Sequence, residues 1–287
     1  MRIIGLVALL ALAGLLPACS AMKIAYNQAS ELAYWQLDGY FYFDDAQTPK
    51  VRQELARLHQ WHRQTQMPAY IDALQKWQAW LPGELDEAQA CDILSEVRGK
   101  LLAISGRGEM AAAELVGTLA PEQLNALKRK FSKLNADYRS NFLDGKPQAL
   151  FEKRYKKAVN RAEMLYGTLE DKQLAVIRSR LGLSVFDAGI SLAEQQRRQR
   201  DALRTLTPLV AGQSTAGQAT PVLRAYFDRA LNSPDPTYRR YQDKLMRDTC
   251  QTFAALHNST SAVQRAKAVQ TLMTYAQDFK ILAAQSY

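Results

Sequence analysis

Histidine and cysteine are the side chains of this sequence best suited to carry chemistry, and there are only three of each. His59 and His62 stand one helical turn apart, a spacing at which two imidazoles can share a metal ion. Glu54 is not far away but is not a clear third ligand, and interfacial or capping histidines are commoner than metal ligands. His59 and His62 are therefore weak metal candidates, and we expect neither a metal nor another cofactor. His257 precedes a helix start and is expected to bond to turn backbone rather than to substrate.

Motifs that mark common enzyme classes are absent from the sequence. It contains no G-x-S-x-G nucleophile elbow, no zinc-binding H-E-x-x-H and no phosphate-binding P-loop. Cys91 and Cys250 have no adjacent basic residue that would hold a reactive thiolate. The sequence therefore names no catalytic residue and favours a non-enzymatic protein.

Residues 1–18 have the organisation of an export signal. Arg2 precedes the apolar run 3–16, which is shorter than the roughly 20 residues that a helix needs to cross a bilayer. We expect cleavage after residue 18, which leaves residues 19–287 as one periplasmic domain.

The end of this run, Leu16-Pro17-Ala18-Cys19, resembles the lipobox of bacterial lipoproteins, which are cleaved in front of a lipid-modified cysteine. The resemblance implies that Cys19 carries lipid chains such as palmitate and tethers the domain to a membrane. Two such chains anchor a protein stably, since each buried methylene contributes about 0.8 kcal/mol. Ser20, in place of aspartate, implies the periplasmic face of the outer membrane of a Gram-negative bacterium.

Cys91 and Cys250 remain once Cys19 is lipidated. In an oxidising compartment two such cysteines are expected to form a structural disulfide. The alternative is a pair of buried free thiols, because sequence alone does not show that the two side chains meet.

The positive charge of the chain is concentrated in its centre. The formal net charge is +9, and residues 128–204 hold 18 Lys and Arg against 9 Asp and Glu, whereas the remainder holds 19 of each. For an exported protein we expect anionic lipid, lipopolysaccharide or unfolded envelope proteins as partners, and no nucleic acid. The alternative is a solvated surface that only aids solubility. The candidate anion-binding residues are Lys128, Arg129, Lys133, Lys153, Arg154, Lys156, Lys157, Arg197 and Arg198.

Nearly every segment has the pattern of a helix, with Pro, Gly, Asn and Asp at helix-length intervals. We predict an all-α bundle or array of about ten to twelve helices in a single domain, with a possible flexible break at 211–220. That stretch is the one plausible flexible loop, and the alternative to a continuous array is that it separates the last three helices from the rest.

An eight-residue phrase is repeated within the chain. GTLAPEQL at 117–124 is echoed by GTLEDKQL at 167–174, and the fourth residue of each has the position of a helix cap. The glutamines, Gln123 and Gln173, stand at the third helical position, where a side chain can bond back to the cap, and Ser261 to Gln264 reads as a further box of this type. Apolar residues follow at steps of three and four, which predicts helices stacked around a common core.

Together several sequence segments resemble those of an uncharacterised all-helical family of Gram-negative outer-membrane lipoproteins with a domain of unknown function. The resemblance rests on Cys19, Tyr26-Asn27, Trp61-His62, the two repeats and His257-Asn258-Ser259-Thr260. It implies fold and location but no known activity. The repeats alone are similar to the LTxxQ motif of Spy-type periplasmic chaperones, with Ala120 and Glu170 at the threonine position.

These observations favour a lipid-anchored protein that binds or scaffolds anionic envelope components or client proteins through its basic helices, in a chaperone-like or assembly role. The alternative is an envelope enzyme that acts on cell-wall or lipid polymer with catalytic residues drawn from distant positions. A deep pocket with convergent Asp, Glu or His would favour the enzyme. An open cradle flanked by cations would favour binding.

Overall fold

The structure is a computed structural model that describes residues 18–285, with side chains from residue 22 onward. All regular elements in this range are helical, and where consecutive segments run on continuously they join into 11 helices. The prediction of an all-α array of ten to twelve helices is confirmed. Residues 1–17 of the predicted signal peptide and the side chain of Cys19 lie outside the described part.

The helices have the following bounds. The first seven, with one π-helical turn, are α1 (Ala18–Asn27), α2 (Ala29–Phe41), α3 (Gln47–Trp61), the π turn (His62–Gln66), α4 (Met67–Trp80), α5 (Glu87–Arg107), α6 (Glu109–Val116) and α7 (Pro121–Phe142). The remaining six are α8 (Pro147–Tyr166), α9 (Asp171–Gly182), α10 (Ala188–Ala211), α11 (Ala216–Leu231), α12 (Pro236–Ser259) and α13 (Ala262–Ala284). Within residues 18–285, none of these helices is both long and apolar enough to span a bilayer.

The break expected at 211–220 is shorter in the structure. Only residues 212–215 are non-helical, because Thr215 and Gln218 form a capping box that starts α11 at Ala216. The side-chain oxygen of Thr215 accepts from the backbone N–H of Gln218, and the Gln218 side chain returns a bond to the Thr215 N–H at 2.9 Å. The segment is therefore a tight helix–helix turn.

Two main clusters of buried apolar side chains form the core. One is built mainly by α4, α8, α9 and α13, and the other by α6, α7, α10 and α11. Leu119 of the first repeat lies in the second cluster and Leu169 of the second repeat lies in the first. The leucine at the third position of each repeat thus packs in a different cluster. Full burial of a leucine side chain stabilises the fold by about 2 kcal/mol.

A disulfide joins Cys91 of α5 to Cys250 of α12, with the two sulfur atoms 2.03 Å apart. It lies in a third, smaller cluster in which Cys250 and Ala254 are buried. Of the two alternatives left open by the sequence, the structure therefore contains the bonded pair. The link closes a separation of 159 residues, and in the chain-entropy model a loop of this size stabilises by about 5 kcal/mol.

Buried glutamines join four helix starts into two pairs. In the first pair, the Gln123 amide nitrogen donates to the Gln47 side-chain oxygen at 2.7 Å and to the Tyr42 carbonyl at 3.3 Å. The Gln47 amide nitrogen donates in return to the Gln123 side-chain oxygen at 3.1 Å and to the Thr118 carbonyl at 2.7 Å. Each amide nitrogen thus donates to the backbone carbonyl of the residue that stands five positions before its partner glutamine in the sequence.

The second pair has a similar arrangement, with one hydrogen bond between the two side-chain amides. The Gln264 amide nitrogen donates to the Gln173 side-chain oxygen at 3.2 Å and to the Thr168 carbonyl at 3.1 Å. The Gln173 amide nitrogen donates to the Ser259 carbonyl at 2.7 Å. Both side chains also accept from the N–H of their own cap residue, so each glutamine caps one helix and fastens another.

His257 lies fully buried between three segments. Its Nε2 donates to the carbonyl of Gly83 at 2.9 Å, which leaves Nδ1 to accept from the Tyr166 hydroxyl at 2.9 Å. The bond to turn backbone agrees with the expectation from sequence. Burial lowers the pKa of the His257 imidazole and raises the pKa of the Tyr166 hydroxyl, so both groups stay neutral at pH 7.

We predict that acid weakens this fold partly through His257. Its lowered pKa means that the unfolded chain takes up a proton more readily, so the free energy of unfolding falls as the pH drops below about 6.5, the ordinary histidine value. Urea unfolding at pH 8, 7 and 5 should show a smaller loss in the His257→Gln variant than in the wild type. Equal losses in the two proteins would contradict the assignment; pH 8 and 7 serve as the reference range.

We also predict that Gln173→Ala lowers the free energy of unfolding by about 2–3 kcal/mol, because it leaves buried groups on two helices without partners. The matched control is Gln218→Ala, which removes a capping glutamine of the same type that is exposed and fastens no second helix; its cost should be about 1 kcal/mol or less. In a double-mutant cycle with Gln264→Ala, the two losses should not add. Additive losses would mean that the glutamines act separately.

Candidate functional site

The cations predicted to bind anions fall into three groups. Five are exposed on α7 and α8 and, in the part of the chain that the structure describes, have no carboxylate within ion-pair distance: Lys128, Arg129, Lys133, Lys153 and Lys156. Arg154 and Lys157 instead cover aromatic rings, at 4.6 Å from the centroid of Phe186 and 5.0 Å from that of Phe142. The third group, Arg197 and Arg198, is held by acidic neighbours.

Glu194 of α10 holds both of these arginines. Its side chain is 5% exposed and accepts from Arg197 Nε and Arg198 Nε, each at 2.8 Å. Arg197 Nη2 and the hydroxyl of Ser233 donate to the same carboxylate at 2.9 and 3.2 Å. Burial alone would raise the pKa of Glu194, but the hydrogen bonds from the arginines outweigh it and lower that pKa.

Asp201, two turns further along α10, is the second buried acid. It is 2% exposed and accepts from Arg229 Nε at 2.9 Å and from Arg204 Nη2 at 3.1 Å. Burial again opposes ionisation, and hydrogen bonds from Arg229 and Arg204 lower the pKa of the carboxyl despite it. Arg197 and Arg198 are thus engaged in ion pairs with Glu194 and Asp201. These two side chains are therefore less available to a partner than the five exposed cations on α7 and α8.

An open cleft of about 390 Å³ lies beside this network. It is lined by residues from α7, α10, α11 and α12: Phe131, Tyr138, Ser191, Glu194, Gln195, Arg198, Gln199, Tyr226 and Tyr238. Burial raises the pKa of all three tyrosines, which therefore remain neutral hydroxyl donors. Arg198 covers the ring of Tyr238 at 5.9 Å.

The cleft is equipped for binding more than for proton transfer. Its one carboxylate, Glu194, already accepts four hydrogen bonds from Arg197, Arg198 and Ser233. The phenol rings and the amides of Gln195 and Gln199 offer stacking surfaces and neutral donors and acceptors. A general base would need a carboxylate or imidazole with a free lone pair, and the residues that line this cleft do not present one.

His62 lies in a second cluster, at the π turn between α3 and α4. Its Nδ1 is 2.9 Å from the Tyr26 hydroxyl of α1, and its Nε2 is 3.0 Å from the Tyr70 hydroxyl of α4. His59 lies against Tyr26, with the two ring centroids 4.5 Å apart. Burial is the main cause that lowers the pKa of both imidazoles.

Arg63 completes this cluster, buried at 3% exposure. Its Nη2 donates to Asn27 Oδ1 at 2.7 Å, and its Nη1 donates to the carbonyl of Leu282 and to Gln285 Oε1, each at 3.1 Å. Tyr26, Asn27 and His62, which sequence resemblance singled out, thus meet at one junction of α1, the π turn and α13. Across residues 18–285, no three His, Cys, Asp or Glu side chains are grouped to hold a metal ion.

Sequence reasoning missed the cleft and the buried acids beside it. Tyr138, Tyr226 and Tyr238 come from three helices, and nothing in the sequence indicates that they converge. The ion pairs did leave a signal, because Glu194 stands three and four residues before Arg197 and Arg198, a spacing that favours side-chain contact on one helix face.

We predict that Glu194→Gln lowers the free energy of unfolding by about 2 kcal/mol, because charge-assisted hydrogen bonds to two arginines are lost. The matched control is Glu163→Gln on α8, a half-exposed glutamate with no ion pair in the described structure, which should cost less than about 0.5 kcal/mol. Thermal and urea unfolding measure both. Equal stability of the two variants would show that the Glu194 network contributes little to the fold.

The chain is similar to a known protein family. The model of a family of unknown function, DUF6279, matches residues 39–216, which is more than half of the chain. The matched range includes α3 to α10, and with them Trp61-His62, both repeats and the basic helices. No curated protein and no solved structure shows significant similarity to the chain.

Proposed function

We propose that this chain, which belongs to the DUF6279 family of unknown function, is a non-enzymatic outer-membrane lipoprotein that binds anionic envelope components or client proteins. Lipid on Cys19 would hold it at the periplasmic face of the membrane. The basic helices α7 and α8 would make the contact, in a scaffolding or chaperone-like role.

The observation that carries this proposal is the set of five exposed, uncompensated cations on α7 and α8 described above. The two helices are joined by the short turn 143–146, so the five charges lie on consecutive helices. Near an anionic surface each such cation contributes about 1 kcal/mol, and the attraction weakens with salt. The cleft, to which α7 contributes Phe131 and Tyr138, adds neutral aromatic and amide groups with which a bound partner can make specific contacts.

The enzyme alternative lacks a comparable observation. The cleft contains one carboxylate, Glu194, and its oxygens are committed to arginines and to Ser233. His62 and His257 have both ring nitrogens in hydrogen bonds within the fold. We therefore favour binding.

Charge reversal tests the proposal. In the variant Lys128→Glu/Arg129→Glu/Lys153→Glu/Lys156→Glu, we expect binding to vesicles that contain phosphatidylglycerol or lipopolysaccharide to fall by at least about tenfold at low salt. Wild-type binding should itself weaken steeply between 50 and 300 mM salt. Co-sedimentation measures both effects.

The matched control reverses four exposed cations elsewhere and changes the net charge equally: Lys50→Glu/Arg98→Glu/Arg247→Glu/Lys280→Glu. It should retain most of the binding. Equal loss in the two variants would reduce the effect to net charge, and no loss in either would leave α7 and α8 as a solvated surface. Mass spectrometry of the native protein tests the anchor separately, since an unmodified Cys19 would overturn it.

A further inference from the structure

An apolar stripe runs along the outer side of α1 and α2. Ile24 and Trp35 are 64% and 63% exposed, and Leu32 between them is 49% exposed. Helical hydrogen bonds continue across the junction of the two helices, from Gln28 N to Ile24 O and from Leu32 N to Gln28 O. Because eleven residues make about three turns, Ile24 and Trp35 point to the same side.

The opposite side of these helices is fastened to the protein. Tyr26 and Asn27 are bound by His62 and Arg63, as described above, and Lys23 lies 3.7 Å from the buried carboxylate of Asp278. In α2, the Tyr34 hydroxyl is 2.9 Å from the hydroxyl of Thr48. The stripe is therefore held outward by a rigid attachment, and nothing within residues 22–285 covers it.

The stripe carries little charge. The exposed residues between its apolar members include Ala25 and Gln28, which are neutral. Glu31, at its edge, is paired with Arg52 at 3.2 Å, and Lys23 points to Asp278 on the fastened side. A surface of this kind enters the boundary between lipid headgroups and acyl chains without having to desolvate an unpaired charge, and tryptophan is enriched at that depth.

We propose that Ile24, Leu32 and Trp35 insert into the interfacial region of a lipid bilayer, with α1 and α2 lying along the membrane surface. The choice of lipid as occupant comes from the chain that precedes the stripe, because the apolar run 3–16 and Cys19 lead directly into α1. This step rests on the membrane anchor of the proposed function. From Cys19 to Trp35 the helices extend about 24 Å, so the anchor and the stripe would fix the protein at two separate points.

Fluorescence of Trp35 tests the docking. The full-length protein, purified from membranes, is reconstituted in phosphatidylethanolamine–phosphatidylglycerol vesicles with and without brominated acyl chains. The difference between wild type and Trp35→Phe isolates the Trp35 signal, since Trp61, Trp77 and Trp80 are common to both. We expect brominated lipid to quench at least about half of this signal and acrylamide in the water to quench little of it.

The variant Ile24→Ser/Leu32→Ser should return Trp35 to water and restore quenching by acrylamide. Its matched control, Leu101→Ser/Met164→Ser, alters two apolar side chains that are 61% and 70% exposed on other helices, and should leave Trp35 in lipid. Both pairs are exposed, so neither variant is expected to disturb the core.

The outcomes separate the docking from the anchor when residue 19 is analysed by mass spectrometry in the same sample. Lipidated Cys19 with Trp35 open to acrylamide overturns the docking and leaves the anchor in place. Unmodified Cys19 with Trp35 quenched by brominated lipid supports the docking and overturns the anchor. Protection of Trp35 from both quenchers means that a second copy or another protein covers the stripe, which also overturns the inference.

Discussion

The fold depends on the two pairs of buried glutamines that join helix starts distant in sequence. A helix start leaves backbone N–H groups without partners, and burial makes each one costly unless a side chain satisfies it. A glutamine side chain both accepts and donates, so Gln123 can cap its own helix and bind Gln47 at the same time. A glutamate in its place would accept but not donate and would bring a charge into the core. The pairing therefore fixes which helix starts meet.

A second constraint divides the cations of this protein by role. Glu194 and Asp201 are buried on one face of α10, and each is ionised because arginines surround it. Arg197 and Arg198 are therefore engaged in ion pairs with Glu194 within the fold. The five exposed cations of α7 and α8 make no such ion pairs in the described part of the chain, which is why a surface role is proposed for them.

Local features of this protein can be predicted from sequence, whereas of its long-range contacts only the Cys91–Cys250 pair can, because the number of cysteines and an oxidising compartment suggest it. Apolar periodicity and caps predicted the helices, and the glutamines of both repeats were recognised as capping residues. Their second role was hidden because it depends on Gln47 and Gln264, which belong to other helices. The sequence places Arg197 and Arg198 among the candidate anion-binding cations, although their spacing from Glu194 equally permits ion pairs within the fold. The three tyrosines of the cleft converge only after α7, α10, α11 and α12 have packed.

The junction at the π turn has a consequence for the order of assembly. Arg63 donates to the carbonyl of Leu282, near the end of α13, and Gln173 accepts from Gln264 at the beginning of that helix. Arg63 and Gln173 therefore gain these partners only after α13 has been synthesised. A polypeptide cut short before α13 would keep unsatisfied polar groups and uncovered apolar surface in both places, features by which proteases and chaperones distinguish unfinished chains from complete ones.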